Sequence, residues 1–298
     1  MESYHLIENE NVKEIIDVIT KEENMGVNTL KKIWWVALRR GKIRWNYKLW
    51  MIFDFASTIV MILTYFFISF IIIPDELVKA GYTRDYFTFA LIGIAFNHYV
   101  SSSIRGLART LRFEQYFGTI ESILSTPTSF VVIFAGEMLF YFMYSTAFLI
   151  SAIAVGIVLG AKFVITPYTI ITTIILVILM VLSNLPIGIL SAAMVLKFKQ
   201  GNPIAWALTW INYFFSGTYF PIHLLPIQIR LIALALPLTF SLDALRRTLM
   251  KGDTLITTVV LTDAAILMIF IIAILPLTSL IFKKVYNQAR KTGTLSQY

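Results

Sequence analysis

Three carboxylates, Asp54, Glu137 and Asp263, fall inside long apolar runs, where an unpaired charge costs roughly 2.5 kcal/mol or more. Each is therefore a candidate buried polar site. Glu137 lies about two turns inside its run, while Asp54 and Asp263 lie nearer the ends of theirs, within reach of water or lipid headgroups. Structural pairing or interfacial placement accounts for all three; a proton relay would need acids at several depths on facing helices. His98 shares an apolar run with Asn97, and Asn184 and Asn212 sit in two others, where interhelical hydrogen bonds are their expected use. His5, His98 and His223 fall on separate elements with no ligand spacing. With no cysteine in the chain, thiol catalysis, disulfides and Cys-based metal sites are excluded, so no metal site is expected. Trp206, Trp210, Tyr213 and Gly217 recur at helical spacing and are followed by Tyr219. Such an aromatic face could stack on sugar rings or flat drugs and so line a substrate path, though interfacial belts and helix packing produce the same pattern. No phosphate-binding G-x-x-x-x-G-K-[ST] loop is present: before Gly41-Lys42, Val36 stands where the first glycine belongs. The chain is thus expected to be no ATPase and to hold no cofactor.

These residues sit in a chain of 298 residues that is 58% hydrophobic and 14% charged, far from the balance of soluble domains. That composition reads as a polytopic membrane protein. The net charge of +8 then reports basic flanks on one side of the bilayer, and nucleic-acid binding is not expected. Residues 1–28 form an acidic tail, with seven acids against Lys13 and Lys21 in the first 24 positions. This is no cleavable signal peptide, and it reads as a solvated tail or as a contact for a cytosolic partner. From Thr29 to Tyr47 the charge reverses. Leu30, Ile33, Trp34 and Ala37 share one helical face, which predicts an amphipathic helix lying in the lipid interface.

Apolar stretches long enough to span, about 20 residues each, fall near Trp50–Ile73, Tyr86–Ile104, Phe130–Leu159, Pro167–Val195, Pro203–Phe220 and Leu255–Phe282. With both termini inside, the inner flanks hold sixteen Lys and Arg against seven outside, which places both ends in the cytoplasm. Pro221–Thr254 is apolar but broken by Pro221, Pro226 and Pro237, and its pieces are too short to cross. A re-entrant helical hairpin between spans 5 and 6 is expected, with flat surface helices as the competing form. No repeat and no linker divides residues 29–298, which read as one membrane domain.

Between the second and third stretches, Arg112–Ser129 carries an apolar stripe of Phe113, Phe117, Ile120 and Leu124 and stops at Thr126-Pro127. On pattern alone this predicts an amphipathic helix at the membrane surface. Its wording, with Glu114, Gly118, Thr119, Glu121, Leu124, Pro127 and Ser129, resembles the segment after the second span in permease subunits of the ABC-2 type transporter family. Ser216-Gly217-x-Tyr219-Phe220-Pro221, Leu225-Pro226, Leu236-Pro237-Leu238-Thr239 and Asp243-Ala244-Leu245-Arg246 give a second match. The resemblance implies an all-α integral membrane fold with six transmembrane helices, an N-terminal interfacial helix, a cytoplasmic coupling helix between spans 2 and 3, and re-entrant helices before the last span. It further implies an exporter of polysaccharide, drug or lipid in the plasma membrane, built from two permease copies on a separate ATPase subunit that binds ATP and Mg. Arg112 and Glu121 would make the polar contacts to that ATPase. An ion-gradient-driven transporter and a lipid-modifying membrane enzyme are the alternatives; the first would need coupled intramembrane acids and the second a cluster of His, Asp or Glu.

Overall fold

A backbone in hydrocarbon has no water to bond, so each apolar run must satisfy its own N–H and C=O groups, and the helix does this within one segment. The computed structural model describes residues 27–72, 75–120, 122, 128–198 and 203–292, and the regular elements among them are all helical. In order these are α1 (Val27–Asn46), α2 (Lys48–Ser69), α3 (Asp75–Lys79), α4 (Tyr86–Tyr116), α5 (Phe130–Val158), α6 (Pro167–Phe198), α7 (Pro203–Phe215), a 3-10 turn (Ile222–Leu224), α8 (Ile227–Leu234), α9 (Pro237–Arg246) running into a π-turn (Arg247–Lys251), and α10 (Thr258–Lys291). Asp85 caps α4 by accepting from the Thr88 amide at 3.0 Å, and Ser129 caps α5 by accepting from the Val132 amide.

Five of these helices, α2, α4, α5, α6 and α10, are long and apolar enough to cross a bilayer. The bent pair of α8 with α9 and its π-turn makes a sixth candidate, broken by 87°. The break falls where Pro237 begins a new helix, since proline cannot continue the previous ladder. The fifth span expected at Pro203–Phe220 differs. Its helix, α7, has 13 residues, about 20 Å at 1.5 Å per residue, short of a hydrocarbon core of about 30 Å. The second span is longer than expected, because nothing breaks the helix after Ile104 until Gly118, and α4 runs on through the polar turns to Tyr116.

α4 is the central column. About 78% of its most apolar stretch is buried by the rest of the chain, against 11% for α2 and for α10, whose outward faces are free for lipid or a second chain. It packs on α6 and α5, and α6 packs in turn on α10. Phe89, Phe96, Leu176, Met180, Leu238 and Leu242 form the main core between these helices and α9. The crossing of α4 and α6 is close because Gly188 has no side chain; a Cβ there would lie 2.1 Å from the Ser103 carbonyl oxygen.

Candidate functional site

The amphipathic helix expected in the interface, α1, packs along α5 instead of touching lipid alone. Gly136 makes this possible: a Cβ at that position would lie 2.5 Å from Val36 Cβ and 2.7 Å from the Ile33 carbonyl oxygen. Close approach brings the basic end of α1 onto Glu137, the next residue of α5. Glu137, fully buried, meets Arg40 Nε at 3.1 Å and Arg39 Nη2 at 3.3 Å, and Thr110 Oγ1 donates to it at 3.2 Å. Arg39 Nη2 also lies 2.8 Å from Glu114 Oε1 on α4. Two arginines of α1 thus bridge a carboxylate from each of the two helices that flank residues 117–129. Sequence reasoning found Glu114 and Glu137 but counted Arg39 and Arg40 only as flanking charge. Their only signal was adjacency to Gly41 on a helix opposite a buried acid.

The periodic helix expected from Arg112 is interrupted at Gly118. Gly118 takes a left-handed φ of +67°, its amide donates to the Gln115 carbonyl at 3.1 Å, and the Thr119 amide reaches back to the Glu114 carbonyl at 3.0 Å. This is a Schellman end to α4, the form in which glycine relieves the strain of the left-handed residue. The apolar spacing of Phe113, Phe117 and Ile120 crosses that break, so periodicity alone could not show it. Ile120 turns back to pack with Leu107 and Leu111, while Phe117, Gly118 and Thr119 are exposed. Glu114 is 6% exposed and held by Arg39 and by the Thr119 hydroxyl, so it faces inward. Arg112 lies within the last turns of α4; Glu121, Leu124 and Pro127 lie outside the described residues.

One turn further along α1, Arg44 Nη2 donates to Asp54 Oδ2, and the Tyr144 hydroxyl donates to the same oxygen at 3.1 Å. Asp54 is thus paired with Arg44, its side chain partly exposed. His98 Nε2 lies 3.1 Å from Thr58 Oγ1 and stacks on Phe148, joining α4, α2 and α5. Asn184 and Asn212 depart from the interhelical role: their amides donate to Met180 and Leu208, carbonyls of their own helices, at 2.8 and 3.1 Å.

At the opposite end of the bundle a cavity of about 370 Å³ opens between α3, α8, α9 and α10. Asp243 and Asp263 both line it. Asp243 accepts from the Tyr82 hydroxyl and from Arg247 Nε, the latter at 3.1 Å. Asp263 Oδ2 is buried with no donor. Burial, with the Asp243 carboxylate beside it, pushes the Tyr82 hydroxyl well above the ordinary phenol range. At the rim, the Lys79 ammonium and then His223, at 3.3 Å, hold the Glu76 carboxyl below its usual value. Behind the cavity, Arg246 is wholly enclosed. It donates to the carbonyls of Gly217 at 2.8 Å, Thr218 at 2.7 Å and Phe89 at 3.2 Å, and its guanidinium lies 3.4 Å from the Phe89 ring centroid. An arginine counted by sequence among the outer flanking charges is thus a core residue.

The four aromatic candidates do not share one surface. Trp206 and Trp210 stand exposed, with ring centroids 5.8 Å apart. Tyr213 turns inward to the Ser101 hydroxyl on α4, and Tyr219 stacks on Tyr65 of α2 at 4.9 Å. Compared with known proteins, the chain matches no family model and no curated sequence.

Proposed function

We propose that this chain is the transmembrane permease subunit of an ATP-driven ABC exporter of the ABC-2 type, in the plasma membrane with both termini in the cytoplasm. Two copies, or one copy and a related permease, enclose the substrate path, and a separate ATPase subunit carrying ATP and Mg docks on the segment 112–125. The motif residues in that segment motivate the reading. The observation that carries it is the four-residue network of Arg39, Glu114, Arg40 and Glu137, which clamps α1 to both helices flanking the segment. A push on the exposed turn at Phe117 to Thr119 is then passed to α4, α5 and α1 together, because packed helices move as rigid bodies. The cargo is a polysaccharide, glycolipid, drug or ion, with Trp206 and Trp210 as path-facing rings in the dimer.

The chain has no cysteine of its own, so Thr119→Cys gives a unique thiol at the exposed turn. It should react with an impermeant reagent only from the cytoplasmic side, and co-purified ATPase should shield it. Glu121→Lys should abolish substrate-stimulated hydrolysis in that complex. Labelling from outside, or hydrolysis and transport unaltered by Glu121→Lys, would sink the reading. Gly118 is a poor test residue, since replacing it also breaks the α4 end.

One observation favours a second reading, an ion-gradient-driven transporter: two carboxylates, Asp243 and Asp263, line one cavity at the end of the bundle away from α1. Uptake into vesicles driven by a proton gradient, with no ATPase present, would support it over the first.

A further inference from the structure

Around the end of the bundle that holds α1, guanidinium groups outnumber their carboxylates. A cavity of about 160 Å³ there is walled by Arg40, Arg44, Arg105 and Arg109, and its lining carboxylate is Asp54, already bonded to Arg44. Arg40 is engaged by Glu137 on one nitrogen, but its Nη1 is buried without a partner, and the residue is 7% exposed. Arg105 donates to the Ser101 hydroxyl at 3.0 Å, a neutral group, and its Nε is likewise unpaired. Arg109 has no ion pair among the described residues. Two guanidinium groups on α4 thus stand without an ion pair among the described residues, and both line the same cavity as Arg40. Buried donors left empty are costly, and guanidinium forks suit the oxygens of a phosphate.

A second cavity, of about 440 Å³, shares Arg105 and Arg109 and adds Phe113, Tyr116 and Trp206. One ligand spanning both would need an anionic group and an apolar body. Position agrees with that. Arg105 is 19 residues beyond the start of α4, about 28 Å along the helix at 1.5 Å per residue, close to the full depth of the hydrocarbon core and so at headgroup level.

The geometry points to a binding site for the phosphate headgroup of an anionic membrane lipid, held by Arg40, Arg105 and Arg109 with its apolar part along Phe113 and Trp206. The assignment does not rest on the exporter reading, because binding needs neither nucleotide nor an ATPase; only its location in the cytoplasmic leaflet does. Of the two sources of a phosphate group, a lipid and free inorganic phosphate, the apolar second cavity selects the lipid.

The test uses the full purified chain in neutral detergent and follows its thermal midpoint during titration with short-chain phosphatidic acid, short-chain phosphatidylcholine and inorganic phosphate. Phosphatidic acid should raise the midpoint at concentrations at least tenfold lower than either of the others. Arg105→Gln with Arg109→Gln should weaken the phosphatidic acid response at least tenfold, whereas Lys283→Gln with Lys284→Gln, an equal charge loss on α10, should not. Should the double arginine variant fail to fold, Arg109→Gln alone, at an exposed position, should weaken the response at least threefold. Equal protection by inorganic phosphate would make this a free-anion site and overturn the lipid assignment. An unaltered response in the arginine variants, or an equal loss in the lysine control, would overturn the site itself.

Discussion

Arg40 Nε lies 3.1 Å from Glu137 Oε2, a cation of α1 against a carboxylate of α5, with side chains 8% and 0% exposed. Such pairs contribute little net stability relative to a hydrophobic pair, yet removing one member strands the other. Glu137→Ala should therefore destabilise the chain by about 3–5 kcal/mol, since Arg40 and part of Arg39 lose their counter-charge together. The double change Arg40→Met with Glu137→Leu should recover most of that loss. Thermal unfolding of the parent chain, Glu137→Ala and the double variant in detergent checks this; a double variant as unstable as Glu137→Ala would refute it.

Close backbone approaches make a second prediction. In Gly93→Ala the new Cβ would lie 2.2 Å from the Thr218 carbonyl oxygen, an atom that Arg246 also holds. Backbone cannot yield as a side-chain tip can, so the cost should be at least the 1–3 kcal/mol of ordinary overpacking, roughly. Gly41→Ala serves as the contrast, because its nearest neighbour, Phe140 Cε2, would be at 3.6 Å, an ordinary contact, and alanine is the better helix former. Comparing the thermal midpoints of the two variants decides the matter: equal losses would mean the α4 approach is not close.

Arg246 gives the third. Its planar fork reaches three carbonyls from two elements while its face covers Phe89, an arrangement that an ammonium on a flexible stem cannot copy. Arg246→Lys should keep the charge yet lose at least one of these bonds, each unsatisfied buried group costing about 1–3 kcal/mol. Arg230→Lys, at an exposed position on α8, should leave the midpoint unchanged. A tolerated Arg246→Lys would show that the charge, and not the fork, matters.

What the sequence could show divides along physical lines. Apolar length is a local property, and α2, α4, α5, α6 and α10 were legible from it. The proline-broken stretch was legible too, because Pro237 must begin a helix and cannot continue one. The end of α4 was not, since Gly118 breaks the backbone while Phe113, Phe117 and Ile120 keep helical spacing across it. Nor was the shortness of α7, whose apolar run outlasts its helix. Among candidate residues, Glu137 was identifiable as a buried acid from its surroundings in the chain. Its partners Arg39 and Arg40 were not, because the pairing depends on where Gly136 lets α1 cross. The same limit hid the pair Asp243 and Asp263, which only the fold brings into one cavity.

That pair supplies the last prediction. The two carboxyls differ in what already holds them: Asp243 takes the Tyr82 hydroxyl and Arg247 Nε, whereas Asp263 Oδ2 has no donor. Asp243→Asn should leave Arg247 without its carboxylate and lower stability by about 1–3 kcal/mol. Asp263→Asn should leave stability unchanged or raise it, because it removes a carboxylate whose Oδ2 is buried without a donor. Thermal midpoints of the two variants, measured side by side, separate these outcomes. If Asp263→Asn proves as destabilising as Asp243→Asn, then the Asp263 carboxylate is itself held by a favourable contact, and its free oxygen is a binding group in the resting protein.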